Sequence, residues 1–178
     1  MLKGKNISLR PIELRDINYL NKWKNTEEVF KYLGGGFFPV SIDVQSKWMD
    51  SLMDTTSGNI RFIIVNDTKK PIGLIGMYSL NNIHKTAEVG MYIGEIEEQG
   101  KGYATETYNL FEEFLQRYIN IRKLKLFVVK NNTSALKFRE KLGYDKVGVL
   151  SKERYINGKY LDVIIMEKFL NNEGGNIG

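Results

Sequence analysis

The chain has no cysteine, a single histidine and only three prolines in 178 residues. Without cysteine there is no disulfide framework, no thiolate metal site and no cysteine nucleophile. The lone histidine, His84, has no partner at metal-ligand or triad spacing, and is expected on a surface or in a hairpin. Long apolar runs are missing as well. No stretch approaches the length of a membrane span, and the basic start MLKGKNISLRPI lacks the apolar core of a signal peptide. A cytoplasmic protein with no membrane partner is the expectation. Charge of one sign does not dominate either: 26 basic residues face 21 acidic ones, for a net charge of +5. The lysines and arginines are scattered rather than gathered, which argues against a nucleic-acid surface.

What is present has the apolar and charged content of a globular protein, with enough chain for one sizeable core. The expectation is one domain over residues 1–170 and a flexible tail, NNEGGNIG, over 171–178. Ile7–Leu9–Pro11 alternates as a short strand. Leu14, Ile17, Leu20 and Trp23 keep helical spacing in a segment stopped by Gly34-Gly35-Gly36, and Ser41 or Asp43 caps a second helical segment containing Trp48. From about Ile60 the period becomes two. Segments 61–67, 69–80 and 85–94 read as an antiparallel meander, followed by a long amphipathic helix over 104–120 and a buried strand over 123–129. A short helix follows from Asn132 or Thr133 to Gly143. A hairpin around Asn157-Gly158 closes the chain. The order predicts an α/β (α+β) fold: a mixed, mostly antiparallel central sheet flanked by helices.

Between the meander and the long helix lies EEQGKGYATET (97–107). A glycine-rich turn that hands a strand to a helix is a place where an anion approaches the backbone. Three phosphate-loop patterns compete. The P-loop fails because five residues separate Gly94 from Gly100 and Gly102 follows Lys101. The dinucleotide fingerprint fails because Thr105 takes the third glycine's place and the loop follows a meander. The third pattern, Q-x-x-G-x-A, is met by Gln99, Gly102 and Ala104.

That loop resembles the pyrophosphate-binding loop of the GNAT superfamily of N-acetyltransferases. The helix N132-x-x-A135 running into EKLGY (140–144) is a second marker. The opening SLRPIELRDINYLNKW and the closing YINGKYLDVIIM are similar to the branch of ribosomal-protein alanine/serine and spermidine acetyltransferases. The resemblance implies acetyl transfer from acetyl-CoA, with no metal. It implies that main chain around Met91, Tyr92 and Ile93 holds the pantetheine arm and carbonyl. Gln99, Gly100, Lys101, Gly102, Tyr103 and Ala104 would surround the pyrophosphate, and Asn132 would reach the coenzyme unless it only caps its helix.

Acetyl transfer to an amine needs a base for the ammonium and a proton for the departing thiolate. Glu88 lies an even number of residues before Tyr92 and therefore shares its side of the strand, which makes it the candidate base; a strand-surface glutamate is the competing reading. Glu95, Glu97 and Glu98 read as a solvated acidic rim. The family's usual proton donor is a tyrosine four residues after the position of Ala135, and Arg139 stands there instead. Ser134, Tyr144, Tyr155 or a water is left to donate, with a core position, where the family usually has phenylalanine, as the competing reading of Tyr144. With no cysteine available, direct attack in a ternary complex is expected. The acceptor is a small amine or a protein N-terminus, with Phe30, Tyr32, Phe37, Phe38, Trp48 and Tyr155 as candidate lining, and Glu27, Glu28 and Asp43 available for a polyamine. A homodimer is left open. The alternative function is a non-catalytic acetyl-CoA-binding or regulatory domain.

Overall fold

A computed structural model describes residues 1–170; the expected tail over 171–178 lies outside the described residues. Eight strands follow the order β1-β2-β3-β4-β5-β6-β8-β7. They are β1 (Leu2–Lys3), β2 (Ile7–Pro11), β3 (Ile60–Asn66), β4 (Pro71–Asn81), β5 (Thr86–Ile93), β6 (Lys123–Val129), β7 (Asp145–Ile156) and β8 (Lys159–Phe169). The helices are α1 (Ile17–Lys24), α2 (Glu27–Phe30), α3 (Ile42–Met53), α4 (Tyr103–Ile119) and α5 (Thr133–Lys141). The mixed, mostly antiparallel sheet and the element order expected from the sequence are both found. The additional strand is β1, whose two residues are too few to leave a periodic signal.

The chain divides into two compact units. The first comprises Met1–Ser79 and Gly90–Phe111. Here β2 pairs antiparallel with β1 and β3, and β3 with β4. Ile12, Leu20, Trp23, Val29, Met49, Ile63, Val65 and Leu74 form a buried cluster where α1 and α3 cover the sheet. The alternate residue Phe62 meets Phe111 of α4 edge-on, so the period of two along β3 is matched by a covering layer on each face. Ser41 caps α3 by accepting the Val44 N–H, as its position predicts.

The second unit comprises Leu80–Val89 and the chain from Glu112 onward. Thr86, Ala87 and Glu88 of β5 pair with Lys123, Leu124 and Lys125 in parallel, and β6 and β7 flank β8 antiparallel. Leu115, Leu124, Leu126, Leu136, Leu142 and Met166 are buried. Gly143, at φ 92, ends α5 in the left-handed conformation that a side chain would oppose. Asn157 and Gly158, at φ 49 and 78, form the tight turn their pairing predicts. His84 is exposed in the β4–β5 turn, where its N–H donates to Asn81 Oδ1.

Candidate active site

In the first unit the site is built around the end of β5. A Cβ at Gly73 would stand 2.2 Å from the Tyr92 carbonyl oxygen, and one at Gly94 would stand 2.3 Å from Trp23. Glycine is therefore required at both positions for close approach. The N–H groups of Gly94 and Glu95 both donate to the Ile72 carbonyl, at 2.8 and 3.1 Å. The Tyr92 ring packs against Phe30 of α2 and edge-on to Trp23 of α1. Burial, and then the neighbouring Tyr78, push the Tyr92 phenol well above its usual range, so it stays protonated. Phe30 packs against the core cluster beside this strand, whereas Phe37, Phe38, Trp48 and Tyr155, also named as candidate acceptor lining, are exposed.

Glu95 follows one residue later and corrects the reading of a solvated rim. Its side chain is only 2% exposed. Its carboxylate accepts from Lys22 Nζ at 2.9 Å and Trp23 Nε1 at 2.8 Å, with Lys70 Nζ at 3.2 Å. Burial raises its pKa, but hydrogen bonds from Lys22, Trp23 and Lys70 outweigh this and hold it below the usual carboxylate value. Glu97 is exposed, as expected, and the hydrogen bond from Lys70 pulls its pKa down to about 2.

The loop then turns through Ile96–Glu98 as one turn of 3-10 helix. Gln99 folds its side chain back, donating from Nε2 to the Ile93 carbonyl at 3.1 Å, so the loop is fastened to the strand it leaves. Gly100 and Gly102 have φ of 74 and 82, and nothing lies within 4 Å of where a Cβ would stand at either. Left-handed backbone rather than crowding inside the chain therefore calls for glycine here. Lys101 pairs with Glu98 at 2.9 Å. Glu106 is the first residue of α4 to donate back to a carbonyl, that of Gly102 at 3.3 Å. The N–H groups of Tyr103, Ala104 and Thr105 precede any acceptor one turn back in the helix, at the positive end of its dipole. Open space over two glycines beside those donors fits a pyrophosphate. The helix start is fixed from behind. Glu106 accepts from the Asn6 N–H at 2.8 Å and Asn6 Nδ2 at 3.0 Å, and a Cβ at Gly4 would stand 2.4 Å from its Oε1.

In the second unit Glu88 lies opposite Lys125, whose Nζ is 4.0 Å from its carboxylate, and its side chain is 31% exposed. Asn132 caps α5, accepting the Ala135 N–H at 3.4 Å, and also accepts from the exposed Ser134 hydroxyl at 3.2 Å. Tyr144 requires a correction. Its hydroxyl is buried and donates to Glu112 Oε1 at 2.7 Å, while Lys168 holds the other oxygen of Glu112. A phenol committed to a buried carboxylate has no proton to give a thiolate. Arg139, where the family tyrosine is expected, lies half-buried with its guanidinium over the Phe138 ring.

Two residues of this region escaped sequence reasoning, Glu95 and Tyr78. The Tyr78 phenol stands 2.5 Å from where a Cβ at Gly76 would be and its ring 3.4 Å from one at Gly90, with Arg61 stacked on it, and burial raises its pKa. The usable signal was three glycines, Gly73, Gly76 and Gly90, inside two neighbouring strands, since interior strand glycines mark close approach.

The model of the acetyltransferase (GNAT) domain family matches residues 6–145. A spermidine N(1)-acetyltransferase of Escherichia coli K12 is 30% identical over 166 residues, covering 93% of this chain and 87% of that protein. One from Vibrio cholerae is 28% identical, covering 93% and 96%. The crystal structure of spermidine N-acetyltransferase from Vibrio cholerae in complex with CoA and spermine superposes with a TM-score of 0.87 at 27% identity, covering 94% of this chain and 97% of that one. A dodecameric structure of the Vibrio cholerae enzyme gives a TM-score of 0.82 at 26% identity, covering 97% and 98%. No helix among the described residues is long and apolar enough to cross a membrane, and no group of residues there is arranged to hold a metal ion. The chain belongs to the GNAT acetyltransferase family and is an acetyl-CoA-dependent N-acetyltransferase.

Proposed function

We propose that this enzyme acetylates a primary amine of a polyamine such as spermidine or spermine, in the cytoplasm, by direct attack in a ternary complex. The observation that carries the acceptor class is the placement of α2. Its Phe30 packs on Tyr92 of β5, while its first turn exposes the carboxylates of Glu27 and Glu28. A polyamine with one amine at the strand would offer its further ammonium groups to those carboxylates. The relatives that acetylate spermidine support the same reading.

Main chain of Met91, Tyr92 and Ile93 positions the thioester, and the loop from Gln99 to Ala104 with the first turn of α4 takes the pyrophosphate. Glu88, on the Tyr92 side of β5, draws the proton from the attacking ammonium directly or through water. Asn132 orients the coenzyme and, with Tyr144 committed elsewhere, the exposed Ser134 hydroxyl, released from Asn132, or the exposed Tyr155 or a water supplies the thiolate's proton. One catalytic domain spans both compact units. A homo-oligomer is part of the proposal, on the precedent of the dodecameric relative, and light scattering tests it.

Thiol release from acetyl-CoA with spermidine, spermine, peptides bearing free N-termini and amino sugars tests the acceptor. Turnover is expected with the polyamines; turnover confined to peptides or sugars overturns it. Glu88→Gln is expected to lower kcat by about 100-fold while leaving KM for acetyl-CoA unchanged. An unaltered pH–rate profile in that variant removes Glu88 as the base.

A further inference from the structure

The first unit carries a cavity of about 480 Å³ whose lining includes none of the residues assigned to acetyl transfer. It lies between the β1–β2 turn, the segment leading into α1 and the β3–β4 turn. Its floor is buried: Ile7 and Val65 supply apolar surface, and Arg10 and Asp16 form a two-pronged ion pair at 2.8 and 2.6 Å. Asp16 is fully engaged, since Oδ2 also accepts the Glu13 N–H at 2.8 Å. It therefore presents no open carboxylate to a ligand. The Tyr19 ring forms part of the wall.

The rim has the opposite character. Lys3, Lys5, Arg15 and Lys69 surround the opening, against one exposed carboxylate, Asp67. Arg15 is paired with Glu13. Among the described residues, Lys3, Lys5 and Lys69 make no ion pair, so three ammonium groups line one opening that holds a single exposed carboxylate, Asp67. The rim is also held in place. The turn that carries Lys5 is tied through Asn6 to Glu106, and the turn that carries Lys69 is closed by Asn66, which accepts from the Thr68 and Lys70 N–H groups at 3.1 and 3.0 Å.

We propose that this cavity is a second ligand site, which takes a small organic phosphate. The phosphate lies among Lys3, Lys5 and Lys69, and the organic part rests on Ile7, Val65 and Tyr19. Its volume falls within the range of small-molecule sites, and its lining combines apolar walls with a few fixed polar groups as such sites do. The same cations repel a polyamine, so the acetyl acceptor does not compete for it.

Calorimetric titration with ADP, and separately with inorganic tripolyphosphate, tests the site in full-length enzyme saturated with CoA, which blocks the coenzyme loop. ADP is expected to bind once per chain. The charge reversals Lys3→Glu and Lys69→Glu together are expected to weaken it at least about tenfold while spermidine acetylation is unchanged. The neutral pair Lys3→Gln and Lys69→Gln, with its melting temperature measured alongside, repeats the test if the reversal disturbs folding. Tripolyphosphate is expected to bind more weakly than ADP because it leaves the apolar floor uncovered. Absence of ADP binding in the CoA-saturated enzyme, or binding that both lysine pairs leave intact, overturns the proposal. So does tripolyphosphate binding as tightly as ADP, which would show a charged surface without a site.

Discussion

Glu95 stands at the end of β5 with Lys22, Lys70 and the Trp23 indole around its carboxylate, whereas Glu112 stands in α4 with Lys168 and the Tyr144 phenol around its own. Each is a buried carboxylate satisfied by cations and one neutral donor, and each ties together elements distant in sequence. The difference lies in what is attached. Glu112 fastens α4 to β8 and to the segment after α5, and of these only the distant first turn of α4 belongs to the proposed coenzyme site. Glu95 fastens α1 and the β3–β4 turn to the end of β5, between the strand proposed to hold the thioester and the loop proposed to take the pyrophosphate. Two sites with the same chemistry should therefore fail differently, one in folding and the other in coenzyme binding as well.

The largest effect is expected at Glu112. In Glu112→Ala the Lys168 ammonium and the Tyr144 hydroxyl lose their partner in a place where water reaches poorly. The cost of breaking such a pair from one side is about 3 kcal/mol. A fall in melting temperature of roughly 10 °C follows for a chain of this size. KM for acetyl-CoA in the folded protein is expected to be unchanged, and a large rise in it would erase the distinction drawn between the two glutamates. Tyr144→Phe, which removes only the hydroxyl, should cost about 1 kcal/mol and leave kcat untouched; a collapse of kcat would return Tyr144 to the role of proton donor.

Glu95→Gln comes next. The amide keeps an acceptor for Trp23 but removes the charge shared by Lys22 and Lys70. Both lysines reach solvent, so the loss is expected to be about 2 kcal/mol, below that at Glu112. The informative readout is kinetic. Because Glu95 stands four residues before Gln99, whose amide fastens the loop to Ile93, a loosened anchor is expected to raise KM for acetyl-CoA by about tenfold with kcat changed much less. A melting temperature lowered with KM unaltered would reduce Glu95 to a purely structural residue.

The two glutamates also mark where sequence reading stopped. The loop itself was legible, because Gly100 and Gly102 announce left-handed backbone and the apolar periods on either side give the strand and the helix. The hairpin at Asn157-Gly158 and the stop at Gly143 were legible for the same reason: a local conformation that few residues adopt leaves a local sign. Glu95 was not. IGEIEEQ looks like a run of surface carboxylates, and which of the three turns inward depends on Trp23, Lys22 and Lys70, at sequence distances no short pattern spans. For Tyr144 a core position was legible but the commitment of its hydroxyl was not, since its partner Glu112 and the neighbouring Lys168 lie on other elements. Tyr78 escaped because aromatic residues in strands are common, and only the glycines opposite show that its ring has somewhere to lie. Backbone requirements are written locally, but the protonation and burial of a side chain are decided by its distant neighbours.

The smallest effect, and the sharpest test of the electrostatic part of the comparison, is the response to acid. Glu95 lies below the ordinary carboxylate value of 4.5 because hydrogen bonds from Lys22, Trp23 and Lys70 overcome the burial that would raise it. Glu106 is lowered in the same sense, burial again opposing and the Asn6 and Ile7 donors prevailing. A carboxylate whose pKa is lower folded than unfolded contributes stability that is complete above the unfolded value and is lost as pH falls through the folded one. The melting temperature is therefore expected to hold near neutrality and to drop on acidification below about 4.5. In Glu95→Gln that drop should be shallower than in the parent enzyme, because one of the groups that must be protonated has gone. Glu106→Gln, made separately, should remove the other portion while also freeing the β1–β2 turn from α4. Equal acid slopes in the parent and in both variants would show that neither carboxylate is held in its charged form by the contacts described, and that the anchoring at the head of the loop is steric.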